Sequence, residues 1–141
     1  MKFISFSEKE TFDFAKQYAG KLKGGEVIGL IGNLGAGKTA FSKGLAAGLG
    51  VKNRVTSPTF VLMKVYKASS SPKTTINSLV HIDAYRLKSA GDILAIGVEE
   101  YMHRNDVVTV IEWADRIKKI LPKKAKILKL KIIGDSREIN Y

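Results

Sequence analysis

Eight consecutive residues, Gly32-Asn33-Leu34-Gly35-Ala36-Gly37-Lys38-Thr39, fit the pattern G-x-x-x-x-G-K-S/T, in which each fixed position suits a phosphate group. The glycines allow a tight turn whose consecutive backbone N–H groups point inward at phosphate oxygens. A helix opening near Lys38 adds unpaired N–H donors and the positive end of its dipole. The Lys38 ammonium can bridge β- and γ-phosphates, and the Thr39 hydroxyl can take one position on Mg²⁺. A glycine-rich turn that binds nothing would not need the Lys-Thr pair. Residues 32–39 are therefore read as a nucleotide-binding loop.

Such a loop requires a carboxylate delivered by the end of a neighbouring strand. Two segments end that way: Val107–Ile111 leads into Glu112, and Leu79–Ile82 leads into Asp83. The longer apolar or β-branched run before Glu112 makes it the better holder of Mg²⁺, with Asp83 completing the metal's surroundings or orienting the attacking water. Lys38, Asp83 and Glu112 form the candidate catalytic set. Thr56-Ser57-Pro58-Thr59 fits two readings, a nucleotide-sensing switch or an ordinary Ser-Pro turn. His81 shares a strand face with Asp83, but the second histidine, His103, is far along the chain, so a core or rim histidine fits better than a transition-metal ligand. Trp113 fits packing at the sheet edge, and Tyr85 and Arg86 follow Asp83 in a loop where Arg86 could touch phosphate.

The elements that must position these groups follow from periodicity. Phe3–Phe6 reads as a short strand, and Ser7 opens a capping box with Glu10 ahead of a helix on which Phe12, Ala15, Ala19 and Leu22 recur at helical spacing. Val27–Ile31 is a continuous apolar run, the pattern of a strand covered on both faces. After the glycine-rich loop, Phe41, Leu45 and Leu49 share one helix face, and Gly50 stands where a helix ends. Phe60–Tyr66 and Leu79–Asp83 read as a hairpin-like pair flanking the serine-rich loop Ala68–Thr75. Asp92–Arg104 reads as a helix interrupted near Gly97, and Trp113–Leu121 as an amphipathic helix cut off by Pro122. Lys126–Ile133 alternates as a strand with one wet face, a sign of antiparallel addition. Apolar strands alternating with helices predict an α/β fold of the phosphate-loop type in one domain, 1–141, with a mostly parallel core, antiparallel additions and helices on both faces.

Composition sets the outer limits. The chain has 141 residues, 45% of them hydrophobic and 26% charged, which excludes a disordered polymer. No apolar run approaches the roughly 20 residues of a membrane helix, and the N-terminus lacks the apolar stretch of a signal peptide. With no cysteine there are no disulfides and no thiolate chemistry, which fits a reducing cytoplasm. The formal net charge is +11, and Arg116–Lys131 alone supplies +8 without an acidic residue. That stretch is either a solvated lysine-rich surface or a face for nucleic acid or an acidic partner.

Four segments together, G-N-L-G-A-G-K-T at 32–39, T-S-P-T-F at 56–60, H-I-D-A-Y-R-L at 81–87 and I-E-W at 111–113, resemble the TsaE (YjeE) family in order and spacing. The resemblance covers Ser7 to Arg137. It implies a small bacterial ATPase that serves the threonylcarbamoyladenosine modification of tRNA. It also implies that Lys38 and Thr39 bind phosphate and Mg²⁺, that Glu112 is a second magnesium ligand, and that Asp83 takes part in hydrolysis. Trp113 would lie near the nucleotide, Thr56, Ser57 and Thr59 would form a switch, and Ser7, Glu10 and Thr11 would lie near the base. Implied partners are TsaD, which transfers the threonylcarbamoyl group, and TsaB, with ATP hydrolysis resetting the complex; the basic 116–131 region would approach tRNA or an acidic partner surface. Asn33, where Asp is frequent in the family, Ala114 after the E-W pair, and a loose match over Gly91–Gly97 depart from the family pattern.

Two other readings use the same loop. A small-molecule kinase needs an acceptor site and usually an arginine-rich lid, whereas the five arginines here are scattered at 54, 86, 104, 116 and 137. An ATP-gated binding module without significant turnover needs the same residues as a slow ATPase. A GTPase lacks its base-reading segment, since no N-K-x-D or T-K-x-D is present.

Overall fold

Val27–Ile31 (β2) shows how the molecule is layered. Ile28 and Leu30 point into one apolar cluster and Val27 into another, because side chains alternate across a strand and both faces here are covered. A computed structural model describes residues 1–58, 62–69 and 74–141, apart from the side chains of Ala90 and Ala95. The other strands are Lys2–Ser5 (β1), Met63–Lys67 (β3), Ser78–Asp83 (β4), Val107–Glu112 (β5), Lys126–Ile133 (β6) and Ser136–Asn140 (β7). The helices are Glu8–Ala19 (α1), Lys38–Gly48 (α2), Ala90–Ala95 (α3) and Val98–Met102 (α4), with a 3₁₀ segment at Ala114–Ile120.

One seven-stranded sheet runs in the order β1-β7-β6-β2-β5-β4-β3. Its centre, β6-β2-β5-β4, is parallel, while β1, β7 and β3 join antiparallel, as the mixed α/β reading expects. The register places Leu30 opposite Glu112 and Glu112 opposite Asp83, so the carboxyl ends of three parallel strands meet at one edge. In open α/β sheets that edge is where ligands bind.

Helices α1 and α2 cover one face through Ala15, Ala19, Phe41 and Leu45. Their approach is close because Gly44 has no side chain: a Cβ there would lie 2.2 Å from the Phe12 carbonyl oxygen and 2.9 Å from the Ala15 Cβ. Helices α3 and α4 and the 3₁₀ segment cover the other face through Ile93, Val98, Met102, Ala114 and Ile117. The Ser7 hydroxyl accepts the Glu10 N–H at 3.1 Å as half of a capping box, but the Glu10 carboxylate reaches back past Ser7 to the Phe6 N–H at 2.8 Å.

Four expectations shift. The strand expected over Phe60–Tyr66 runs from Met63 to Lys67, and residues 60 and 61 lie outside the described ones. The segment after Trp113 is 3₁₀ with a kink at Ile117, not an amphipathic α-helix; three-residue spacing puts Ala114 and Ile117 on the sheet side before Pro122. Lys126–Ile133 joins β2 in parallel and carries its antiparallel pairing only on the other side, to β7. Its alternation follows burial, with Leu128 and Leu130 buried and Lys129 and Lys131 exposed, so burial and not strand direction set the pattern. Strand β7 was not expected, because Ser-Arg-Glu-Ile-Asn carries one apolar residue, the buried Ile139. The break at Gly97, between α3 and α4 at φ 81°, falls where the sequence places it.

Candidate functional site

The glycine-rich loop leaves β2 and enters α2. Gly37 takes φ 99°, the left-handed region that costs a side-chain-bearing residue, and it turns the chain so that Lys38 begins the helix. The Lys38 ammonium donates to the carbonyls of Gly32 and Asn33, the second at 2.9 Å, and sits 3.8 Å from the centre of the Trp113 ring. Burial pushes its pKa below the usual lysine value, opposed by the nearby charges of Glu112, Asp115 and Asp83. A lysine held by carbonyls and an aromatic face is a cation ready for a stronger anionic partner such as phosphate.

At the strand ends, the Thr39 hydroxyl donates to Glu112 Oε2 at 3.0 Å. Glu112 is only 2% exposed, and its second oxygen, Oε1, lies 2.7 Å from His81 Nε2. Burial pushes this carboxyl up, but its interaction with His81, with further help from the Thr39 and Ser42 hydroxyls, outweighs that and holds the pKa below the usual glutamate value. Asp83 accepts from the Ser57 hydroxyl at 2.9 Å through Oδ2 and from the Tyr85 N–H at 2.9 Å through Oδ1.

These groups open on a cleft of about 610 Å³. Ser7, Thr11, Leu34, Gly35, Gly37, Lys38 and Thr39 line it, together with Ser57, Asp83, Glu112 and Trp113. Gly32 and Asn33, predicted to bind nucleotide, do not line it and act only through the carbonyls that hold Lys38, while Ala36 is fully buried. Thr11 is also committed inward, its hydroxyl 2.8 Å from that of Ser5. Of the three switch candidates, Ser57 reaches the cleft. Thr56 turns instead to Lys64, whose ammonium donates to its hydroxyl at 2.7 Å, and Thr59 lies outside the described residues.

The oxygens of Thr39, Glu112, Asp83 and Ser57 are hard donors, the chemistry that suits Mg²⁺. Among the described residues no group of three or more His, Cys, Asp or Glu side chains could cage a metal. An ion here would take its remaining ligands from phosphate and water, which is Mg²⁺ behaviour at nucleotide sites.

The lining residues Arg137, Phe6 and Asp135 had little or no sequence signal. Arg137 on β7 donates from Nε to the Gly35 carbonyl at 3.0 Å, tying the loop to the far strand. Phe6 and Asp135 line the same mouth. Trp113 adopts φ 59°, an uncommon conformation for a bulky residue, which sets its ring against Lys38 and 4.9 Å from Tyr85. Arg116 stacks 5.0 Å over Tyr85. The contact from His81 to Glu112 was foreshadowed only by strand parity, which puts His81 and Asp83 on one face.

The fold and cleft define an α/β protein in which a G-x-x-x-x-G-K-S/T loop and two strand-end carboxylates share one edge of a mixed sheet. A family model described as threonylcarbamoyl adenosine biosynthesis protein TsaE matches residues 5–139. The chain is 39% identical to the tRNA threonylcarbamoyladenosine biosynthesis protein TsaE of Treponema pallidum, over 99% of this chain and 98% of that one. It is also 39% identical to the protein of the same name from Bacillus subtilis, over 100% of this chain and 84% of the relative. A crystal structure of Bacillus subtilis YdiB superposes with a TM-score of 0.80 at 36% identity, covering 99% of this chain and 82% of that one. The chain belongs to the TsaE family.

Proposed function

We propose that this protein binds ATP with Mg²⁺ in the cleft and hydrolyses it slowly in support of threonylcarbamoyladenosine modification of tRNA, acting with TsaD- and TsaB-like partners in the cytoplasm. The observation that carries the reading is the Thr39–Glu112 contact of 3.0 Å beside the buried Lys38, at the strand ends. The names of the relatives support the tRNA-modification setting. No helix among the described residues is long and apolar enough to cross a membrane.

On this reading the loop N–H groups and the start of α2 bind the phosphate chain, and Lys38 exchanges its loop carbonyls for β- and γ-oxygens. Thr39 and Glu112 would hold Mg²⁺, which supplies charge neutralisation on the phosphates when bound. Asp83, held by Ser57 and the Tyr85 N–H, orients the water that attacks the γ-phosphorus.

The test is product analysis of labelled ATP with Mg²⁺, with and without TsaD, TsaB and tRNA. Phosphate released to water, slowly alone and faster with partners, supports the ATPase. Tight binding without release selects the gated module. Label transferred to a small acceptor would mean a kinase and would overturn the proposal.

A further inference from the structure

His81 lies on β4 on the face covered by α1 and α2, and it is fully buried at 0% exposure. Its Nε2 stands 2.7 Å from Glu112 Oε1, and its Nδ1 has no hydrogen-bond partner among the described residues. That asymmetry assigns the ring's proton. With the proton on Nε2 the ring donates to the carboxylate and leaves only a bare lone pair at Nδ1. The reverse tautomer would bury an unpaired N–H and press two acceptors together at 2.7 Å.

We infer that His81 is a positioning residue that, as the Nε2–H tautomer, holds the Glu112 carboxylate so that Oε2 faces the Thr39 hydroxyl. The inference rests on the reading of Glu112 as a metal ligand. Each oxygen of Glu112 meets a different element: Oε1 meets β4 through His81, and Oε2 meets α2 through Thr39. Ser42 also faces this carboxylate, but it has a single hydroxyl proton, and the Lys38 carbonyl 3.0 Å away competes for it. Without the imidazole, Oε1 would lose its β4 donor in a buried site, and the carboxylate could turn away from Thr39. A buried side chain that keeps half its polar capacity unpaired is poorly suited to mere core filling, where an aliphatic residue would pack without loss. Hydrogen-bond donors to ligating carboxylates fix their orientation, and their loss typically lowers metal affinity about 10–100-fold.

The experiment measures ADP affinity by calorimetry across a Mg²⁺ titration and again in EDTA, for wild type, His81→Leu, His81→Gln and Glu112→Gln. His81→Leu is expected to raise the Mg²⁺ concentration for half-effect about 10–100-fold while leaving ADP affinity in EDTA within about twofold. His81→Gln, whose amide N–H can replace Nε2–H, is expected to restore most of the loss. Nitrogen-15 NMR of the wild-type protein, with His103→Gln to assign the two histidines, is expected to show a protonated Nε2 and a bare Nδ1 for His81. The inference is overturned if the NMR shows the reverse tautomer, if His81→Leu keeps the wild-type Mg²⁺ requirement, or if His81→Leu and His81→Gln move together. It is also overturned if His81→Leu loses ADP affinity equally in EDTA, the mark of a purely structural role. Should His81→Leu not fold, the wild-type tautomer and the His81→Gln titration still decide. If Glu112→Gln leaves the Mg²⁺ dependence unchanged, the metal-ligand reading itself fails. If Glu112→Gln shifts it and His81→Leu does not, only the positioning role falls.

Discussion

Lys38 and Glu112 are both nearly buried and both charged, and neither could be tolerated there without the partners the site provides. Lys38→Ala removes a cation now shared by two loop carbonyls and an indole face. Charge-assisted hydrogen bonds contribute about 1.5–3 kcal/mol each, so the variant is expected to bind ATP at least about tenfold more weakly by calorimetry. Near-normal affinity would remove the loop from the nucleotide site. Glu112→Ala is expected to keep most ADP affinity in EDTA and to lose Mg²⁺-dependent phosphate release by about 100-fold or more, as removal of a charge-stabilising group typically does. Full activity in that variant would pass the metal role to Asp83.

At the scale of elements, the α1–α2 contact and the start of β5 carry separate tests. Gly44→Val would place methyl groups where even a Cβ lies 2.2 Å from the Phe12 carbonyl. Overpacking of this kind costs about 1–3 kcal/mol, a fall in melting temperature of roughly 5–10 °C by calorimetric scan. An unchanged melting temperature would mean that the helices can separate without loss. Just before β5, the Arg104 guanidinium grips Asp106 with bonds of 2.9 and 2.7 Å, which together with the Asn77 amide holds that carboxyl down at about 2. Because the folded value is depressed, the contribution to stability is present above the ordinary carboxylate range and lost as pH falls through about 2. NMR titration is expected to find Asp106 still ionised at pH 3 and to return it toward about 3.9 in Arg104→Ala. An ordinary value in wild type would mean the exposed pair does not persist in solution.

Across the whole molecule, charge is distributed unevenly. Arg116, Lys118, Lys119, Lys123, Lys124, Lys126, Lys129 and Lys131 are all exposed, along β6 and the segment that leads into it. We propose that this region meets tRNA or an acidic partner. Reversing Lys119, Lys124 and Lys129 to Glu is expected to weaken that association at least about tenfold at low salt and to flatten its salt dependence, measured by filter binding or calorimetry. Unchanged binding to tRNA and to both partner proteins would leave the charge as plain solvated surface.

Local chemistry alone made the loop, Glu112, Asp83 and most elements legible. A G-x-x-x-x-G-K-S/T run between an apolar strand and an amphipathic helix is specified by adjacent residues, and period-two and 3.6-residue patterns report burial wherever helices cover the sheet. The tertiary structure decided what depends on residues far apart in the chain. The direction of β6, the presence of β7, the grip of Arg137 on Gly35 across 102 positions and the seating of Glu112 between Thr39 and His81 all arise from strand order. Strand order is set by how covered and uncovered faces close over the whole sheet, and no window of sequence contains both sides of that contact.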